Sequence, residues 1–294
     1  MPGFEGSKKF YARRGHNYYS VTTIIGEALR KRAIEYSGPK KVAEGVLRQR
    51  LVLEAMLRGC PTPEQCAAVE EAIDLCPQCN QTLRYLKDMA YARTAQAADI
   101  GTAVHAAIDA YHLGRPMPPW ALVIRPRMAR FEEFLRDARP TFELSEAVVY
   151  SDRYGYAGTL DSIFTLPVEV VSREVCVAVG WEVPPERDYV RLLGDYKSGQ
   201  RGIWPEIALQ LAAYRYSDVV GLPDGSEAPM PAVDGAVGIS LTDQGYEVIP
   251  VRADEELWRT FLHLRSAFRF NEELSKAVLY PALRLAQPAQ EVVA

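Results

Sequence analysis

The sequence predicts an α/β fold in which a central mixed β-sheet is flanked by helices, with a helical region at the N-terminus. Two observations carry this prediction. Most of the first 140 residues have helical composition broken by Pro and Gly, and beyond them short runs of β-branched and aromatic residues alternate with helical segments. The chain of 294 residues, 48% hydrophobic and 24% charged, is large enough to bury a sizeable core.

The elements are predicted in order along the chain. An extended segment at residues 17–24 offers Ser20, Thr22 and Thr23 as N-caps for a helix running toward Arg32. Further helices are predicted at residues 40–58, 63–75, 80–97, 101–114, 124–138, 205–219 and 253–275. Strands are predicted at residues 144–150, 155–166, 174–180 and 189–197, and as a hairpin over 234–251 that turns at Asp243-Gln244-Gly245. These elements divide the chain into a helical N-terminal region (1–97), an α/β core (98–287) and a tail (288–294).

Hydropathy and charge indicate a compartment and a type of partner. No apolar run approaches the roughly 18 residues of a transmembrane helix, and the opening residues lack the apolar stretch of a signal peptide, so we expect a cytoplasmic protein without a membrane partner. Residues 1–50 contain 11 Lys/Arg and 4 Asp/Glu, a net charge of +7, whereas the whole chain carries −4 and the remainder therefore −11. The basic segment is either a solvated helical surface or an arm that neutralises phosphates. In the second case the residues expected to bind DNA are Lys8, Lys9, Arg13 and Arg14.

Two acidic residues and a lysine fall on neighbouring predicted strands. Asp195 and Lys197 lie two residues apart, so their side chains project to the same face, and Asp161 ends the run Gly158-Thr-Leu-Asp on an earlier strand. Two carboxylates that converge in this way form a hard-oxygen site suited to Mg²⁺ or Mn²⁺. A nearby ammonium can hold a water and offset charge on a five-coordinate phosphorus. This arrangement can hydrolyse phosphodiesters.

Two predicted helices carry polar residues that could reach such a site. His105, in Gly101-Thr-Ala-Val-His, could supply an imidazole to the metal or orient a ligand. Gln210 and Tyr214 are four residues apart and share one helix face, from which an amide and a phenol can contact a nucleic-acid backbone. Glu146, on the strand before Asp161, is weighed as an additional carboxylate. Each motif alone is common on protein surfaces, and it is the ordered set that favours a site.

The ordered set G-x-x-H, G-x-x-D, D-x-K and Q-x-x-x-Y resembles that of the RecB-like branch of the PD-(D/E)XK nucleases, which includes the CRISPR-adaptation nuclease and phage exonucleases. The resemblance covers about residues 101–216, and YYSVTTIIGEALRK is similar, more loosely, to phage members. It implies a PD-(D/E)XK core in which Lys197 is catalytic and Gln210 and Tyr214 help to bind DNA. The metal ligands that it implies are His105, Asp161, Asp195 and the carbonyl of Tyr196.

The function predicted from these residues and this resemblance is a Mg²⁺- or Mn²⁺-dependent deoxyribonuclease. Exonuclease action on single-stranded or duplex DNA ends is favoured because the resembling enzymes mostly work there, in phage or bacterial DNA processing, recombination or repair. The alternatives are an endonuclease and a catalytically silent DNA- or protein-binding module on the same fold. The silent module is disfavoured because Asp161, Asp195 and Lys197 are all present.

The chain departs from the family pattern in two places. About thirty residues separate Asp161 from Asp195, which predicts an inserted excursion near residues 167–189. Several members also carry an iron–sulfur cluster that uses cysteines after the Q-x-x-x-Y helix. Here no cysteine follows Cys176, which we place in the core of a strand, so that cluster is not supported.

Four other cysteines lie close together in the sequence, and two of them form the pair Cys76-Pro-Gln-Cys79. A zinc site that also uses Cys60 and Cys66 is one interpretation, and an adaptor built on such a metal staple is a third functional class. Because Cys60 and Cys66 lack the spacing of a usual zinc knuckle, we expect independent reduced thiols instead.

Overall fold

One mixed, open β-sheet forms the centre of the protein in the computed structural model, which describes residues 10–29, 40, 42–61, 63–67, 75–116, 121–199, 202–280 and 282. Its strands are β1 (Phe10–Arg13), β2 (His16–Ser20), β3 (Thr141–Ser151), β4 (Tyr156–Pro167), β5 (Tyr189–Lys197), β6 (Val219–Gly221), β7 (Glu227–Pro229), β8 (Gly235–Leu241) and β9 (Tyr246–Val251). They lie in the order β7-β6-β3-β4-β5-β8-β9. The β1–β2 hairpin joins through β2, which runs parallel to β4. The sheet is mixed because β5 pairs in parallel with β8 and antiparallel with β4.

Helices cover both faces of this sheet. They are α1 (Val21–Ala28), α2 (Arg50–Arg58), α3 (Pro63–Ala67), α4 (Pro77–His112), α5 (Ala121–Ala138), α6 (Val168–Val171), α7 (Arg173–Ala178), α8 (Ile207–Arg215) and α9 (Glu255–Glu272), followed by a 3₁₀ helix at Leu274–Ala277. Residues 42–48 are also helical. Within the described ranges, no helix is both long and apolar enough to cross a membrane. The expected α/β architecture with a mixed sheet flanked by helices is confirmed.

Side chains alternate between the two faces of each strand, so the core is divided into two layers, one on each face of the sheet. On β5, Leu193 packs with α1, α8 and α9 on one face, whereas Leu192 and Tyr196 pack with α4, α5 and α7 on the other. Both faces of β5 are therefore buried from Leu192 to Tyr196. The sheet thus holds residues near the end of β5 between helices that approach from opposite sides.

The predicted excursion between β4 and β5 is present, but its secondary structure differs from the prediction. Residues 174–180 are not a strand, because Arg173–Ala178 forms helix α7, and Cys176 is buried on that helix. The valines there suggested a strand, yet the Ser172 hydroxyl caps the helix by accepting a hydrogen bond from the Val175 N–H. The excursion joins the strands at Pro167 and Tyr189, which lie six residues along β4 from Asp161 and six residues along β5 from Asp195.

Other boundaries also differ from the sequence prediction. The helices expected at 80–97 and 101–114 form the single helix α4, so the domain boundary placed between residues 97 and 98 falls inside a continuous helix. At the N-terminus the extended segment ends at Ser20, and two strands of the 1–97 region belong to the central sheet. The predicted tail, 288–294, lies outside the described residues.

Candidate functional site

The sheet splits between β4 and β5, and the two predicted carboxylates lie at the split. Pairing of these strands ends at Ser162 and Gly194, and the residues that follow toward the split are Asp161 and Asp195. From there β4 remains paired with β3, and β5 remains paired with β8. The Tyr196 N–H donates instead to Asp161 Oδ2 at 2.7 Å. A side chain thus takes the place of a missing ladder hydrogen bond.

His105 reaches the split from α4. Its Nε2 lies 3.0 Å from the carbonyl oxygen of Tyr196, and its Nδ1 lies 3.3 Å from Glu146 Oε1 and 3.4 Å from Asp161 Oδ1. Glu146 is opposite Asp161, because its two neighbours on β3 pair with the two neighbours of Asp161 on β4. Ligand atoms of His105, Glu146 and Asp161 all lie within 4.8 Å of one another. Glu146 therefore belongs to this group, which its position on the strand alone did not establish.

Asp195 lies beside this group and is held by other partners. It is 1% exposed; Gln210 Nε2 donates to its Oδ1 at 2.8 Å, and Lys197 Nζ lies 2.6 Å from its Oδ2. The i, i+2 relation of Asp195 and Lys197 therefore produces the expected contact. The carboxylate oxygens of Asp195 are not part of the group within 4.8 Å that His105 forms.

Gln210 and Tyr214 on α8 were expected to contact DNA, but in the structure they contact other residues of the protein. Gln210 Nε2 also lies 3.4 Å from the Tyr214 hydroxyl, and Tyr214 is only 3% exposed. A Cβ on Gly158 would lie 2.4 Å from the Tyr214 ring, so glycine is required for this ring to pack on β4. The half-buried Gln210 thus supports Asp195 directly, and the buried Tyr214 contacts Gln210 and does not present its phenol to a solvent-side ligand.

The charges at the split are strongly coupled. Burial raises the pKa of Asp195 to about 6, and the charge of Asp161 acts in the same direction, against that of Lys197. Burial lowers the pKa of His105, but Asp161 and Glu146 outweigh burial and raise it to about 11. Burial also lowers the pKa of Lys197, and here too the neighbouring carboxylates prevail and raise it. Three carboxylates thus face an imidazolium and an ammonium.

The donor set fits a hard divalent cation. Carboxylate oxygens, a backbone carbonyl and one imidazole are ligands that Mn²⁺ and Mg²⁺ accept. Adjacent octahedral ligands at about 2.1 Å from such an ion are about 3 Å apart, and His105 Nδ1 lies 3.3 Å from Glu146 Oε1 and 3.4 Å from Asp161 Oδ1. Coordination through the imidazole would release the His105 proton, so the ion would take over the charge of the imidazolium.

Arg127 on α5 also bears on this site, and sequence reasoning missed it. The side chain is buried; its Nε donates to the carbonyl of Ser198 at 2.9 Å, and its Nη1 lies 3.2 Å from Asp243 Oδ1. Ser198 directly follows Lys197, so Arg127 anchors the end of β5. The available signal was an arginine on the apolar side of α5, three residues after Ile124 and four before Phe131.

The basic residues expected to contact phosphates divide into two pairs. Lys8 and Lys9 lie outside the described residues. Arg13 is buried, forms an ion pair with Asp152 in the β3–β4 turn, and donates from Nε to Glu227 at 2.6 Å. Arg14 is exposed and lies 2.7 Å from the same Glu227. The charge of Arg13 is thus already paired, which does not fit the expected phosphate contact.

The tyrosines of the N-terminal hairpin mostly pack within the protein. Tyr18 is buried against Tyr150, and Tyr19 packs on Phe268. The Tyr11 hydroxyl lies 3.1 Å from Thr159 Oγ1, two residues before Asp161. The hairpin therefore borders the split through Tyr11.

The four early cysteines were expected to be independent thiols, but the structure brings them together. The sulfurs of Cys60, Cys66, Cys76 and Cys79 all lie within 4.8 Å of one another, and no disulfide joins them. Cys60 follows α2, Cys66 lies on α3, and Cys76 and Cys79 lie at the start of α4, so the fold brings together cysteines whose spacing in the sequence is irregular.

Comparison with known proteins assigns no family to this arrangement. No protein family matches the chain, and no curated protein matches it either.

Proposed function

We propose that this chain is a Mg²⁺- or Mn²⁺-dependent nuclease of the PD-(D/E)XK type, from the RecB-like branch, that hydrolyses DNA phosphodiesters and acts as an exonuclease on DNA ends. The observation that carries the proposal is the meeting of Asp161, Glu146, His105 and the Tyr196 carbonyl at the point where β4 and β5 separate, with Asp195 and Lys197 beside them. The motifs found in the sequence supply most of these residues.

The residues that would hold the ion are His105, Glu146, Asp161, Asp195 and the carbonyl of Tyr196. When bound, a divalent ion lowers the pKa of a coordinated water and stabilises negative charge on the scissile phosphate. The protein contributes fixed positions: the Tyr196 N–H holds Asp161 at 2.7 Å, and the Gln210 amide holds Asp195 at 2.8 Å. Ligands fixed in this way lose little freedom on binding.

Lys197 is suited to electrostatic stabilisation. Its neighbouring carboxylates raise its pKa, so it carries an ammonium at neutral pH and cannot act as a general base in that state. An ammonium can hold a water oxygen and offset the charge that develops on phosphorus. The side chain of Lys197 is 37% exposed and that of Glu146 34%, so both can reach a ligand, whereas Asp195 is buried.

The decisive experiment uses end-labelled single-stranded DNA, end-labelled duplex and a closed circle, each with Mg²⁺, Mn²⁺ or EDTA. We expect metal-dependent loss of nucleotides from linear DNA, abolished in Asp161→Asn and Asp195→Asn and retained in Glu186→Gln, which changes an exposed carboxyl group in the excursion. Cleavage of the circle would indicate an endonuclease. DNA binding without cleavage under every condition would overturn the enzymatic proposal in favour of a silent binding module.

A further inference from the structure

The four cysteines Cys60, Cys66, Cys76 and Cys79, which we call the cysteine cluster, have the geometry of ligands to one metal ion. The sulfur of Cys60 lies 3.6 Å from that of Cys76 and 3.5 Å from that of Cys79, and all four sulfurs lie within 4.8 Å. Tetrahedral zinc with Zn–S bonds of about 2.3 Å places its sulfurs about 3.8 Å apart. The cluster is therefore close to the spacing that one zinc ion imposes.

The backbone around Cys76 and Cys79 also matches a metal-binding turn. Cys76 is the N-cap of α4, and its sulfur accepts a hydrogen bond from the Cys79 N–H at 3.4 Å. Asn80 stabilises the preceding turn by donating from its side chain to the Leu75 carbonyl at 2.8 Å. An N–H directed at the sulfur is placed to donate a hydrogen bond to a metal-bound thiolate.

The part of the chain that holds the cluster has little apolar core. Among residues 40–88 whose side chains the structure describes, Leu53 is the buried apolar residue, while Leu47, Leu51 and Leu57 are exposed. Small units that bury this little apolar surface usually need a disulfide or a metal ion to fold. The cysteines are not joined by disulfides, and their clustered sulfurs are placed for a metal ion as the cross-link.

We propose that the cysteine cluster binds one structural Zn²⁺ that fastens α2 and α3 to the start of α4. An iron–sulfur cluster fits less well, because it is a body of several atoms whose cysteines lie around its outside and hence further apart than ligands of a single ion. Four thiolate ligands complete a tetrahedral shell and leave no open position, as in structural rather than catalytic zinc sites. Binding releases the thiol protons to solvent.

This site is independent of the carboxylate site at the sheet split. Cys79 and His105 lie on the same helix α4, 26 residues apart, and at 1.5 Å per residue this is about 39 Å. Zinc content can therefore be tested separately from the proposed nuclease activity, and the failure of one proposal leaves the other standing.

The test is the metal content of the full-length chain, purified without chelators or metal-affinity resin and measured by elemental mass spectrometry. We expect about one zinc per chain in the wild type, in Asp161→Asn and in Cys176→Ala, which alters the cysteine outside the cluster. We expect the zinc to be lost in Cys76→Ser/Cys79→Ser, together with a lower melting temperature. A metal-free wild type that takes up no added zinc under reducing conditions would overturn the proposal. So would stoichiometric iron, or zinc retained in the double variant.

A second measurement covers the case in which the double variant does not fold. The wild type is depleted of zinc under reducing conditions and titrated with Co²⁺. We expect one equivalent to produce the intense sulfur-to-cobalt charge-transfer absorption and the visible bands of tetrahedral cobalt, both removed by one equivalent of Zn²⁺. Absence of the charge-transfer absorption would show that the cysteines are not the ligands and would overturn the proposal by itself.

Discussion

At the scale of single residues, Glu146 combines a contact in the candidate site with a strained backbone. It lies opposite Asp161, contacts His105 at 3.3 Å, and has a backbone φ of 47° within a strand. A non-glycine residue in the left-handed region is strained, and such strain tends to persist where a side chain must be held in a required direction. In the proposed metal site, the strain and the contact would make Glu146 a ligand or a residue that orients one.

We expect Glu146→Gln to keep the fold and to lower metal affinity or activity by roughly 10–100-fold, as removal of a metal-supporting carboxylate commonly does. The amide has nearly the same shape but carries no charge. The measurement is a titration of DNA cleavage with Mn²⁺, with Glu143→Gln as the control, since Glu143 on the same strand pairs with Arg191. A metal-dependence curve identical to that of the wild type would remove Glu146 from the site.

His112 gives the stability a dependence on pH. Burial lowers its pKa from 6.5 to about 4, and Asp109 acts in the opposite direction. Between these two values the unfolded chain binds the proton more readily than the folded chain does, so stability is lost as the pH falls from about 6.5 toward 4. The neutral ring is held 2.7 Å from Ser145 and packs on Phe142.

We expect His112→Gln to reduce this loss of stability on acidification, because glutamine does not titrate. Denaturant unfolding in EDTA at pH 7 and pH 4.5 measures it, and the comparison with the wild type cancels the carboxylates common to both. His263→Gln, which alters an exposed histidine, should leave the loss unchanged. An equal loss in His112→Gln and the wild type would contradict the assignment.

At the scale of elements, α5 and the end of β5 act as one unit through Arg127. Its guanidinium binds the Ser198 carbonyl, so it restrains the backbone that carries Lys197. We expect Arg127→Met, which keeps the apolar stem, to lower the turnover rate by roughly tenfold or more, because small displacements of a reacting group are costly. DNA affinity should change little.

A control variant separates the hydrogen bond of Arg127 to the Ser198 carbonyl from its ion pair with Asp243. Asp243→Asn removes the charge opposite Arg127 at 3.2 Å but leaves the contact with Ser198. We expect this variant to have a smaller effect on turnover than Arg127→Met. A weaker DNA affinity with unchanged turnover in Arg127→Met would instead identify Arg127 as a residue that binds DNA.

For the whole molecule, the sequence predicted the structure correctly where local composition and residue spacing determine it. The strands β3, β4 and β5 and the β8–β9 hairpin follow from runs of β-branched and aromatic residues. The contact of Asp195 with Lys197 follows from their i, i+2 spacing. The sequence alone could not predict structure that depends on contacts between segments far apart in the chain. The cysteine cluster joins α2 and α3 to the start of α4 through cysteines with irregular spacing. Where a strand was expected at residues 174–180, Arg173–Ala178 forms a helix because Ser172 caps it and the core layer buries Cys176.

The basic N-terminal segment required the tertiary structure for its interpretation. Arg13 is separated from Asp152 by 139 positions and from Glu227 by 214, so no local pattern could show that its charge is paired. Its guanidinium also lies 4.8 Å from the centre of the Tyr150 ring. These contacts tie β1 to the β3–β4 turn and to β7, which indicates a structural role.

We therefore expect Arg13→Ala to lower the free energy of unfolding by roughly 1–3 kcal/mol, between the values for exposed and fully buried pairs, because Asp152 and Glu227 are partly exposed. The salt dependence of DNA binding should stay unchanged, whereas the removal of a residue that binds a phosphate would flatten the slope of log affinity against log salt by about 0.7–0.9. Denaturant unfolding and binding titrations from low to moderate salt measure the two effects.

The control is Arg259→Ala, which removes an exposed ion pair with Glu255 and should lower the free energy of unfolding by less than about 0.5 kcal/mol. A flatter salt slope with unaltered stability in Arg13→Ala would return Arg13 to the DNA-binding surface. The double variant Lys8→Ala/Lys9→Ala tests the expected phosphate contacts of Lys8 and Lys9 independently.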